Sequence, residues 1–141
     1  MPRIDVTFIL LATFCLTGGM ALGIGMGLAH DFQYAPVHAH LNLLGWASLA
    51  LFGLIYKSYP ALAESRLAAI HLVLSGPSGF LFPIGIYLAI AHDSPLLGVI
   101  GAFSAFGGLL VFLANLLRIF FFSSRTAAAP LKAPPTEEAA A

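Results

Sequence analysis

Two histidines one residue apart open a long apolar stretch, His38-Ala39-His40-Leu41-Asn42-Leu43-Leu44-Gly45-Trp46. Imidazole changes charge near neutral pH and binds transition metals through a ring nitrogen. An ionisable side chain at membrane depth is costly, so a pair of them points to a ligand or proton site. On a helix each residue turns by roughly 100°, which sets the two imidazoles about 200° apart, towards nearly opposite sides. They cannot grip one metal ion from within this helix. They can instead serve two sites, one on each flank, and imidazole is a common axial ligand of heme iron.

The elements that must position this pair are membrane spans. Of the 141 residues, 60% are hydrophobic and 9% charged, with a mean hydropathy of +0.95. That is an integral membrane composition, all-α, whose first partner is the lipid bilayer. The net charge is zero, so nothing points to a polyanionic partner such as nucleic acid, and none is expected. Cys15, the single cysteine, lies mid-span and reads as a small core residue.

Apolar length and breaks predict four transmembrane helices over about 6–29, 37–56, 67–91 and 96–122, forming one membrane domain, 1–125. Pro36 suits the first turn of the second helix, so His38 and His40 fall near the membrane face where that helix starts. Gly76-Pro77 and Pro83 should kink the third or unwind it locally. Gly19, Gly23 and Gly27 form a stripe on the first helix that another helix, or a flat ligand, can approach closely. The tail, 126–141, is low in complexity and should be disordered.

Arg3, Lys57, Arg66, Arg118, Arg125 and Lys132 all fall on one side of a four-span layout, while the other two links carry Asp31 and Asp93. The positive-inside rule therefore places both termini in the cytoplasm, in a multi-pass protein of a bacterial-type inner (plasma) membrane. His30, His38, His40 and His92 gather at the outer side. His71, near the inner face, reads as a residue that snorkels or caps a helix end, with a cytoplasmic-side site as the alternative.

The spacing His38-x-His40-x-x-x-x-Gly45-Trp46 resembles the heme-ligating helix of the heme-copper oxidase superfamily, particularly its C-type oxidases and the related nitric oxide reductases. In that family the catalytic subunit has twelve helices in three similar arcs of four, and the metal ligands come mainly from the second helix of each arc. The resemblance implies that His38 faces a high-spin heme and His40 a low-spin one. Asn42 falls in the pattern around the low-spin ligand, and Gly45 and Trp46 beside the cofactor. His92 stands where a copper ligand would, and His30 is a further metal candidate. No span carries adjacent histidines or the histidine-tyrosine arrangement of a full copper site, so the resemblance implies heme binding rather than oxygen or nitric oxide reduction.

Two functional classes follow. One is a membrane protein that holds heme b by protein contacts alone, for electron transfer or for heme or gas sensing, since no Cys-x-x-Cys-His attachment motif is present. The other is a non-heme module, either handling copper or zinc or serving as a structural subunit of a larger membrane complex. A chain of one arc could rebuild the twelve-helix ring as a cyclic homotrimer, with His38 of one copy facing His40 of the next across a heme.

Overall fold

The computed structural model describes residues 3–126. Its four long helices are Ile4–Ala29, Ala35–Ser58, Arg66–His92 and Leu96–Thr126, with a single turn, Pro60–Ala63, in the middle link. Among the described residues there is no strand, and all four helices are long and apolar enough to cross a membrane. The chain is therefore built as a multi-pass membrane protein. The expected tail lies outside the described residues except for Thr126, which ends the fourth helix.

Helix ends follow the local chemistry. Pro36 sits in the first turn of the second helix, where its missing N–H costs nothing. Ser65 caps the third, its hydroxyl accepting from the Leu67 N–H at 3.1 Å. The first and third helices end on left-handed residues, His30 at φ 51° and Asp93 at φ 52°. Glycine usually fills such a position, so the turns after the first and third helices carry some backbone cost.

Neighbouring helices run antiparallel, as the pairings show. Going along the first two, Gly53 meets Asp5 and Ile9, Gly45 meets Cys15, and Gly23 meets His38. Between the third and fourth, Gly85 meets Gly98, Gly101 meets Phe82, and Gly108 meets Ser75. Lipid offers no hydrophobic drive for helix association, so close backbone approach at small residues supplies the packing. The outward faces are apolar, with Leu28, Phe14, Val73 and Phe103 all exposed, and the polar side chains His71, Ser75, Ser78 and Asn115 are buried inside. The first three helices pack on one another, the fourth lies along the third, and Phe112 of the fourth meets Phe52 and Tyr56 of the second.

Of the two outcomes expected at the third helix, a kink or local unwinding, unwinding does not occur, for the helix stays α-helical through Pro77 and Pro83. Pro83 lacks the N–H that would reach the Gly79 carbonyl four residues back. The Cys15 thiol lies 3.6 Å from that carbonyl and donates to it across the helix interface, so the core cysteine replaces the missing donor. The departure from α geometry is found in the second helix instead, where Leu41–Ser48 forms a π-helical segment directly after His40.

Candidate functional site

His38 and His40 lie in the last turn before the π segment and part to opposite flanks of their helix. His38 turns to the first helix, where its Nδ1 is 2.8 Å from the Gly19 carbonyl oxygen. His40 turns to the third, its ring 4.8 Å from that of Phe82 in an edge-on contact, with Nδ1 2.7 Å from the Pro36 carbonyl oxygen. A carbonyl oxygen can only accept, so both imidazoles carry their proton on Nδ1, and the lone pair sits on Nε2. A backbone carbonyl on the far nitrogen is the usual way a ligating histidine has its tautomer and ring orientation set. Neither Nε2 has a protein partner, and neither is sealed from the surface.

The first helix is cut to fit this arrangement. A Cβ on Gly23 would lie 2.7 Å from His38 Cε1, and one on Gly19 would lie 2.6 Å from Asn42 Nδ2. Gly27 has nothing within 4 Å. Two of the three glycines in the stripe are thus filled by side chains of the same chain. Asn42 donates through Nδ2 to the His38 carbonyl at 2.8 Å and stands 3.5 Å from His38 Nδ1, which places it against His38 rather than against His40. Gly45 is occupied by helix packing, since a Cβ there would lie 2.7 Å from Cys15 Sγ and 3.2 Å from the Gly79 oxygen. Trp46 is partly buried against the hydrophobic core.

His92 and His30 are both exposed at the C-terminal ends of the third and first helices, and the His92 ring lies 6.2 Å from that of Tyr87. No group of three or more His, Cys, Asp or Glu side chains comes together to hold a metal ion among the described residues. His38 and His40 thus stand as two separate imidazoles, one on each flank of the second helix.

The fit of His38 to Gly23 can be tested. Gly23→Ala should push the imidazole off the Gly19 carbonyl and cost about 1–3 kcal/mol of stability by overpacking. Gly27→Ala should leave stability unchanged or slightly raised. Equal thermal unfolding of the two variants in detergent would contradict the fit of His38 to Gly23.

His71 lies near the start of the third helix, as expected, but the structure corrects the snorkelling or capping role. His71 is fully buried where all four helices converge, between Phe8, Phe52, Tyr56 and Phe112. Its depth is fixed by rings from distant parts of the chain, which the short distance from Arg66 could not reveal. A second polar residue, Asn115, is also fully buried and donates to the Leu62 carbonyl at 3.0 Å. An amide inside an apolar run was the available signal for it. Comparison of the chain with protein-family models, with curated proteins and with solved structures returned no match.

Proposed function

We propose that this protein is a membrane heme b-binding protein of the electron-transfer or heme/gas-sensing kind, with His38 and His40 as axial ligands on opposite flanks of the second helix. The observation that carries this reading is the pair of Nδ1 contacts to the Gly19 and Pro36 carbonyls, which leave both Nε2 atoms as free bases. Heme bound there would supply a one-electron Fe(III)/Fe(II) couple. The chain's own part is to hold each imidazole in one tautomer and to keep the flank apolar.

A six-coordinate heme needs donors on both faces of the ring, and His38 and His40 diverge, so neither completes the other's site. A second copy of the chain would supply the missing donor. In a closed ring, His38 of one copy and His40 of the next would face the same heme, and resemblance to the three-arc oxidase core favours three copies. Native mass spectrometry of the detergent-released particle tests this arrangement, with three chains and non-covalently retained heme expected. A heme-loaded monomer would end the interface arrangement, and particles that hold no heme after heme is supplied would end the functional reading.

The same reading orients the protein with its basic end inward. Arg3, Lys57, Arg66 and Arg118 share one end of the bundle, where the Arg118 guanidinium reaches the Ala61 carbonyl at 2.9 Å. His30, Asp31, His92 and Asp93 occupy the other. A reporter fused after Ala141 should be active only in its cytoplasm-requiring form. Activity only in an export-requiring form would reverse the orientation.

A further inference from the structure

Far from the two outer histidines, at the basic end, the structure holds one polar atom that nothing satisfies. His71 Nε2 is the only buried side-chain nitrogen or oxygen without a hydrogen-bond partner among the described residues. Its other nitrogen, Nδ1, lies 3.0 Å from the Tyr56 hydroxyl. The ring is held between Phe8 and Phe112, both with centroids at 5.0 Å, with Phe52 edge-on at 4.5 Å and Tyr56 at 5.7 Å. A bare lone pair among aromatic faces would be repelled by their negative charge, whereas an N–H is attracted. Nε2 therefore carries the proton, and Nδ1 accepts from Tyr56 Oη. All four rings lie within the roughly 6 Å at which a cation is attracted to an aromatic face. Such a box lowers the cost of holding an imidazolium away from water.

Tyr56 also lines a cavity of about 320 Å³ at the basic end, whose other walls include Arg3, Asp5, Lys57 and Glu64. The hydroxyl that bonds His71 thus belongs to a residue bordering a charged vestibule. We propose that Tyr56 and His71 form a proton-binding site in the inner half of the membrane domain, loaded from this vestibule and independent of the heme reading. In loading, Tyr56 Oη accepts a proton from the vestibule side and gives its own to His71 Nδ1. A hydronium ion in the vestibule loses one O–H bond and Tyr56 its own, a new O–H bond forms on Tyr56 and an N–H bond on His71 Nδ1, and the positive charge passes from the hydronium to the imidazolium inside the aromatic box.

The other charged or titratable groups around this end are Arg3 and Asp5 on the first helix, Lys57 on the second, Glu64 in the link, Arg66 on the third and Arg118 on the fourth. Arg3 and Asp5 lie 4.0 Å apart, and Arg118 bonds Asn115 Oδ1 at 3.3 Å. Asn115 in turn faces the Tyr56 side chain. Among the described residues, Tyr56 is the only one of these titratable groups in contact with His71.

The test is ring-nitrogen NMR of the full chain in lipid bilayers, with ¹⁵N-histidine, the His71 resonance being identified by its loss in His71→Gln or, should that variant fail to fold, by its shift in Tyr56→Phe. His71 should pass from the Nε2–H tautomer to the doubly protonated ring as the pH is lowered, before the protein unfolds. In Tyr56→Phe, proton exchange at His71 should slow by about a hundredfold, the scale of a positioned proton-transfer group. A His71 ring that stays neutral at every pH at which the protein is folded, or one that exchanges equally fast without the Tyr56 hydroxyl, would overturn the proposal and leave the pair a purely structural one.

Discussion

His40→Ala should strip the protein of heme at the His40 flank, lowering affinity by more than about a hundredfold, since loss of a ligand exceeds the effect of losing its outer partner. The fold should survive the change. The imidazole makes an edge contact with Phe82 and bonds a carbonyl within its own helix, so removing it costs about 1 kcal/mol at most. The variant should stay in the membrane with its helix content unchanged while the Soret band is lost or strongly altered. His38→Ala should affect the opposite flank, and it should also disturb packing, because the ring fills the space left by Gly23. A His40→Ala protein with the wild-type spectrum would remove His40 from the site.

Gly85→Ala should be the most damaging single change to the fold. The added Cβ would overlap the backbone nitrogen and Cα of Gly98, and backbone, unlike the tip of a side chain, cannot move aside without shifting a whole helix. Overpacking of this kind costs about 1–3 kcal/mol and occasionally more. At Gly18 and Gly25 nothing lies within 4 Å, so alanine there should be neutral or should stabilise the helix, by up to about 1 kcal/mol. Thermal unfolding in detergent, followed by circular dichroism, checks the contrast. A Gly85→Ala protein that melts with Gly25→Ala would contradict the close approach of the third and fourth helices.

The spans were legible in the sequence because apolar length and polar breaks decide them locally. The structure gives Ile4–Ala29, Ala35–Ser58 and Arg66–His92, extending each predicted span by one to a few residues, while the last runs on to Thr126. The divergence of His38 and His40 was legible too, since it follows from the turn per residue alone. What the sequence could not convey was which surface each flank meets. Gly19 and Gly23 read as a packing stripe, yet their partners are the Asn42 and His38 side chains of the same chain. Pro83 read as a point of weakness, but the Cys15 thiol that supports the Gly79 carbonyl comes from another helix. The π segment Leu41–Ser48 contains no proline, and its sequence gave no warning of it. His71 was missed for the same reason, because its enclosure needs Phe8, Phe52 and Phe112 from three other helices.

The measurement that bears most directly on the heme assignment is the visible absorption spectrum of the purified full-length protein after heme is supplied, recorded oxidised and then reduced. A sharp Soret band that shifts on reduction, and that is lost or strongly altered in His40→Ala, is the expected result. A colourless protein, or one that carries copper or zinc on the same histidines in place of heme, would contradict it.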